Sequence, residues 1–144
     1  MFIGEYKHTL DKKNRISIPA KFRKELGKNA VITRGLDNSL LLYPNKVWEE
    51  IALKLGQMPV GESGTRSFVR LMLSGASEVQ IDKLGRILIP NYLKKYAILK
   101  RDTVINGLFN RMEIWEEKAW DNYKKTAEKN SNTVAEKLGE LGIY

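Results

Sequence analysis

Asp11-Lys12-Lys13-Asn14-Arg15-Ile16-Ser17-Ile18-Pro19 returns 71 residues later as Asp82-Lys83-Leu84-Gly85-Arg86-Ile87-Leu88-Ile89-Pro90, with six identities in nine positions. So dense a repeat at one constant offset divides the chain into two half-domains built from one unit. With one-residue adjustments the match extends on both sides. Val31 to Gly35 recurs as Thr103 to Gly107, and Tyr43 to Glu49 echoes Trp115 to Asp121, which sets Trp48 opposite Trp120.

Each half reads the same way. Phe2 to Leu10, and Ser77 to Ile81, carry strand composition. A short polar turn follows, with Asn14 or Gly85 supplying a residue that tolerates positive φ, and Arg-Ile-x-Ile-Pro then reads as the return strand of a β-hairpin. Pro19 and Pro90 cannot continue a central strand but suit the first turn of a helix, so helices are expected over Ala20 to Leu26 and Asn91 to Tyr96, the first ended by Gly27. A second strand pair is expected at Ala30 to Thr33 and Ser39 to Tyr43 around Gly35-Leu36-Asp37-Asn38. Its counterpart is Thr103 to Ile105 and Leu108 to Trp115 around Asn106-Gly107. Asn45 is a candidate cap for a helix in which Val47, Ile51 and Leu55 recur every four residues, with Gly56 stopping it.

Gly56 to Gly64 reads as a linker, and Phe68-Val69-x-Leu71-Met72-Leu73 as a connecting helix packed on the core. Near the end, Asn130-Ser131-Asn132 reads as a break, and Thr133-Val134-Ala135-Glu136 as a capping box that opens a last short helix. The expected division is a first half-domain with its following helix over 1-55, linker and connecting helix over 56-75, a second half-domain over 76-125, and a helical tail over 126-144.

The 144 residues are 42% hydrophobic and 29% charged, a balance that supports a packed core. No apolar run exceeds the four residues of Leu40-Leu41-Leu42-Tyr43, far short of a membrane span, and no leader pattern opens the chain. The absence of cysteine excludes disulfides, thiolate catalysis and cysteine zinc sites, and a single histidine, His8, excludes a multi-histidine metal site. The lack of cysteine accords with a cytoplasmic protein. Lys plus Arg number 25 and Asp plus Glu 17, for a net charge of +8. Residues 1 to 35 hold nine basic and three acidic residues and residues 76 to 107 hold six and three, while the remaining segments are near neutral. Positive charge is therefore concentrated in the repeated parts, and a polyanion is the natural partner.

Within those parts the turns are the sharpest feature. A short, exposed turn presents long cations outward from a rigid base. Arg15 and Arg86 can each grip a phosphate or a guanine edge with two hydrogen bonds. Lys7, Lys12, Lys13 and Lys83 add point charges, Lys21, Arg23 and Lys24 extend the first block, and His8 is at most a phosphate contact. Asp11 and Asp82 are expected to fold their own turns by accepting backbone N–H groups, together with Asn14 and Gly85. The bland reading of Arg15 and Arg86 is a surface pair with those aspartates, yet such pairs need no repetition at one place. Lys94-Lys95 and Lys100-Arg101 read equally well as solvated faces. Tyr43, Trp48, Trp115 and Trp120 read as core rather than a base-stacking platform. Glu113, Glu116, Glu117 and Asp121 read as a mostly wet face. No phosphate loop, dinucleotide fingerprint or nucleophile elbow is present, so no catalytic residue, cofactor or metal is expected.

Met1-Phe2-x-Gly4-Glu5-Tyr6-x-His8-x-Leu10-Asp11-x-Lys13-x-Arg15-Ile16-x-Ile18-Pro19 closely resembles the opening of the MraZ family. The second Asp82-x-x-x-Arg86, Gly35-Leu36-Asp37 and Trp48-Glu49 carry the likeness along the whole chain. The resemblance implies an α+β, mainly β, fold of AbrB-like (SpoVT-AbrB, swapped-hairpin) type, a small barrel made here by both halves of one chain. It also implies a DNA-binding transcriptional regulator, often a repressor, acting on short direct repeats in the promoter of the bacterial division and cell-wall gene cluster. A ring-like homo-oligomer associated with the nucleoid is implied too, with Arg15 and Arg86 as DNA contacts, Lys13 and Lys83 beside them, and Asp11 and Asp82 orienting the turns. The first turn has Lys13-Asn14 where the second has Leu84-Gly85, so the second is less basic. The competing expectation is an AbrB-like protein-interaction module of antitoxin type. An RNA-binding or enzymatic role has only the charge behind it.

Overall fold

The computed structural model describes residues 1–144. The first repeat gives β1 (Phe2–Thr9), β2 (Arg15–Ser17), α1 (Ala20–Leu26), β3 (Asn29–Arg34), β4 (Leu40–Pro44) and α2 (Asn45–Gly56). After α3 (Ser63–Gly75), the second gives β5 (Ser77–Gln80), β6 (Arg86–Leu88), α4 (Asn91–Tyr96), β7 (Asp102–Phe109), β8 (Met112–Glu116) and α5 (Glu117–Glu140). The fold is α+β, and every strand pair in it is antiparallel.

The expected hairpins across Asp11 to Arg15 and Asp82 to Arg86 do not form. After the first turn only an isolated bridge, Leu10 to Ile16, joins the two arms. β2 pairs instead with β6 of the other repeat, in register Arg15↔Leu88, Ile16↔Ile87 and Ser17↔Arg86. β1 likewise crosses to β7, and β5 crosses to β3. The reason is burial. A 70-residue half has too little interior to cover its own isoleucines, whereas an exchanged pair of strands buries both sets in one place. Ile16, Ile18, Ile87 and Ile89 of the ribbon join Ile32, Leu40, Leu42, Ile105, Met112 and Ile114 of the sheet in a single core, with Phe22 and Leu93 supplied by α1 and α4.

The six remaining strands make one sheet in the order β1-β7-β8-β4-β3-β5. This sheet is open, which corrects the expected closed barrel. Its two edges, β1 and β5, hand the chain over at the Asp turns to a separate ribbon that covers the core, so they never pair with each other.

A pseudo-twofold axis relates the halves. It passes through Ile16 and Ile87 in the ribbon (87 − 16 = 71) and through Leu41 and Glu113 in the sheet (113 − 41 = 72), each a pair of equivalent residues. At β3 and β7 the structural offset is 73, because Ile32 faces Ser77 as Ile105 faces Tyr6. The sequence match of Val31 with Thr103 is thus one residue out, a slip that would exchange the faces of the strand. The longer connection between Tyr96 and Asp102 absorbs the difference.

Pro19 and Pro90 stand immediately before α1 and α4, and Gly27 caps α1 at φ 81°. Other local expectations need correction. β7 continues straight through Asn106-Gly107 and the chain reverses at Asn110-Arg111. α2 begins at Asn45 after Pro44, with no side-chain cap. α5 runs unbroken through Asn130-Ser131-Asn132, since poor helix formers each cost only a few tenths of a kcal/mol and flanking turns carry them. In α3 only Met72 and Gly75 are buried, so much of its apolar side stays exposed. No helix is long and apolar enough to cross a membrane.

Ile16 and Ile87 are 0% and 1% exposed at the pseudo-axis. Ile16→Ala and Ile87→Ala should each lower unfolding stability by about 2–5 kcal/mol, and by similar amounts, in denaturant titration; a cost at one position only would deny their equivalence.

Candidate nucleic-acid interface

Because Ile16 and Ile87 point into the core, the alternation of a strand puts Arg15, Ser17, Arg86 and Leu88 on the outer face of the ribbon. Arg15 and Arg86 are diagonal cross-strand neighbours there, with backbones about 7–8 Å apart. The turns that carry them are built alike. Asp11 Oδ1 accepts the backbone N–H groups of Lys13 and Arg15 at 2.9 Å, and Oδ2 accepts Arg15 Nε at 3.0 Å. Asp82 does the same for Leu84, Arg86 and Arg86 Nε, all at 2.9 Å. The ion pairs are partly exposed, so their effect is on orientation more than on stability. Each carboxylate holds Nε and leaves the two terminal guanidinium nitrogens without an intramolecular partner. The N–H of the following arginine, then its side chain, holds each aspartate below the usual carboxylate range.

The two turns differ where their sequences differ. Both Asn14 and Gly85 have positive φ, 61° and 76°. Lys94 Nζ donates to Asn14 Oδ1 at 3.0 Å. At the other turn the equivalent cation is Arg23, whose Nε donates to the Ile18 carbonyl at 2.9 Å while its guanidinium lies over Gly85. A Cβ on Gly85 would run into the Arg23 guanidinium at Nε. A side chain at this position would displace the Arg23 guanidinium from its place over the turn, whereas the slimmer lysine at the other turn accommodates asparagine.

Lys12, Lys13 and Lys83 lie on the turns, all exposed. Lys7 does not join them. It is on the opposite face of β1, 3.3 Å from Glu117 of α5. His8 faces the other side, near Arg23, and burial followed by that cation pushes its pKa down. Further cations lie beside the turns: Lys28 and Lys83 line a cleft with Arg23, while Lys12 lines its pseudo-symmetric counterpart with Lys94, Lys100 and Arg101, which the sequence leaves open between contact and solvated face. The signal for them was the repeat itself, since Arg23 and Lys94 share the offset of 71.

Tyr43 and Trp115 are buried, and their half-buried partners Trp48 and Trp120 pack on them at 5.7 and 5.2 Å. The carboxylates of β8 and the start of α5 are less wet than expected. Glu113 accepts from Trp115 Nε1, Glu116 caps the helix by accepting from Ala119 N, Glu117 pairs with Lys7, and Asp121 is half-buried.

The profile of the MraZ protein family, described as antitoxin-like, matches the chain twice, over residues 1–71 and 72–140. The chain belongs to the MraZ family. Proteins named transcriptional regulator MraZ from Natranaerobius thermophilus, Halothermothrix orenii and Clostridium tetani are each 48% identical to it over 143 residues, 99% of this chain and the whole of each relative. The two MraZ matches coincide with the repeats whose ribbon strands pair across the pseudo-axis.

Gly85→Asn should destabilise the protein, and adding Arg23→Lys should recover much of the loss by recreating the Lys94 to Asn14 arrangement; a double-mutant cycle with no coupling would contradict the packing. Acidification should act in two stages. His8 has a folded pKa below 6.5, so the unfolded chain takes up its proton first and stability starts to decline as pH falls through that value. The depressed aspartates stabilise above their ordinary 3.8 and lose that contribution as pH falls through their lower folded values. The combined Asp11→Asn and Asp82→Asn variant should show a smaller second stage in thermal melts across pH, the remainder coming from Glu5, which the hydrogen bond from Trp120 and then Lys124 hold below its ordinary value.

Proposed function

We propose that this chain is a sequence-specific DNA-binding transcriptional regulator, acting as a repressor on short direct repeats in the promoter of the bacterial division and cell-wall gene cluster. The observation that carries the reading is the convergence of both Asp-x-x-x-Arg turns on one two-stranded ribbon, with Arg15 and Arg86 on its outer face. Asn14 bonds across to Ile89, four residues beyond Gly85, so the turns stand roughly 14 Å apart at about 3.4 Å per residue. The major groove is about 12 Å wide and admits such a ribbon, and arginine reads guanine there by a bidentate pair. The names of the relatives point the same way.

In this reading Arg15 and Arg86 read base edges, Lys12, Lys13 and Lys83 meet phosphates, His8 lies at the margin, and Lys7 serves its pair with Glu117. The exchanged halves act as one AbrB-like unit. Several such units in a homo-oligomeric ring, cytoplasmic and associated with the nucleoid, engage successive repeats, so that modest single contacts add up to a specific complex. The regulator does no chemistry on its partner.

Arg15→Ala and Arg86→Ala should each weaken operator binding roughly ten-fold or more in electrophoretic shifts while leaving the melting temperature close to wild type. Unchanged shifts for both would refute the reading. Tighter binding to RNA than to matched duplex DNA, or equimolar co-purification with a basic toxin, would replace it with one of its competitors.

A further inference from the structure

We infer that two pseudo-symmetric basic clefts, one at each end of the ribbon, each hold a backbone phosphate of the bound duplex, one on either strand; this rests on the regulator reading above. One cleft gathers Arg23, Lys28 and Lys83 around Asp82 and Gly85. The other gathers Lys12, Lys94, Lys100 and Arg101 around Asp11. The aspartates do not neutralise these cations, because each carboxylate is already taken up by its own turn and arginine. None of the seven cations takes part in an ion pair within the chain.

Like charges converging without counter-charge repel one another, and an external anion relieves that repulsion. The lining sets the kind of anion. Each cleft has a single hydrophobic residue, Ile81 or Leu10, and lies open to solvent, which suits a phosphate on a polymer running past and not an enclosed apolar ligand. The backbone fixes the position. The carbonyl of Lys28 accepts Ile81 N–H at 2.9 Å, and that of its counterpart Arg101 accepts Leu10 N–H at 2.7 Å. Each cation-bearing loop is thereby tied to the residue that leads into an Asp turn. The two strands of β2 and β6 run antiparallel, so the turns and their clefts lie at opposite ends of the ribbon. A ribbon seated in the major groove then offers one cleft to each bordering strand.

Lys28 and Arg101 are exposed and make no side-chain hydrogen bond, so replacing them leaves the fold intact, which the melting temperature checks. The test compares wild type, the double variant Lys28→Ala with Arg101→Ala, and the charge-keeping Lys28→Arg with Arg101→Lys. Each is titrated at several salt concentrations against a duplex selected from a random pool by wild type and against a scrambled duplex of equal length. For the alanine pair, the slope of log affinity against log salt should shrink by roughly 0.9 for each phosphate lost per subunit. Affinity for both duplexes should fall by the same factor, with their ratio preserved, and the charge-keeping pair should match wild type. An unchanged slope, or a loss confined to the selected duplex, overturns the clefts as phosphate sites while the regulator reading stands. Wild type that retains no duplex overturns both.

Discussion

Ile16 meets Ile87 only because the second strand of each repeat leaves its own half. That contact is the constraint on which the rest depends. A three-residue strand between two turns has little hold by itself, but here its inward isoleucine is wholly buried against its own counterpart, flanked by Ile18 and Ile89. Once the ribbon is placed across the core, β1 and β5 have no partner within their halves and pair with the opposite ones. One core, one ribbon and two coupled turns follow. Neither half can present its arginine without the other.

The same pairing converts a local turn into a directed one. Strand alternation sends Arg15 and Arg86 outward, and Asp11 and Asp82 then fix each guanidinium from behind by its Nε. An arginine held at one nitrogen loses less freedom on binding than a free one, while the nitrogens that suit a bidentate pair stay available. The ion pair that the bland reading offers as an alternative to function is, in this geometry, a means of aiming it.

Much of this was legible in the sequence, and the failures have a common cause. The repeat, the turns with Asn14 and Gly85, the helices after Pro19 and Pro90, and the strands around Ile32 and Leu42 rest on local chemistry. What local chemistry cannot carry is the choice of partner. A strand, a polar turn and a second strand spell a hairpin whether the pairing is within one half or exchanged between two, since Leu10 and Ile16 are adjacent in both. The open sheet is the direct consequence of that choice. Register failed for a related reason. Val31 and Thr103 align well by residue type, but only the pairing of Ile32 and Ile105 with the exchanged strands shows which faces agree. The sequence leaves the flanking cations open between contact and solvated face because Lys94, Lys100 and Arg101 are distant from the turn at Asp11 that they border.

The two halves are not copies in use. α2 and α5 start at equivalent places, but α2 stops at Gly56 and lets the chain fold back as α3, whereas α5 continues to Glu140, about 36 Å in length. The effect reaches the sheet. Thr33 in β3 donates its hydroxyl to the Met72 carbonyl of α3 at 2.7 Å, while Asn106, its counterpart in β7 (106 − 33 = 73), is buried with no partner for either amide atom. A buried, unpaired amide costs on the order of 1–3 kcal/mol. The second half is therefore the less well satisfied of the two, and it carries Gly85 beneath Arg23 where the first has the bonded Asn14. Duplication supplied the symmetry that aligns the arginines, and the unequal helices leave the two turns, though matched in geometry, in different surroundings within one shared core.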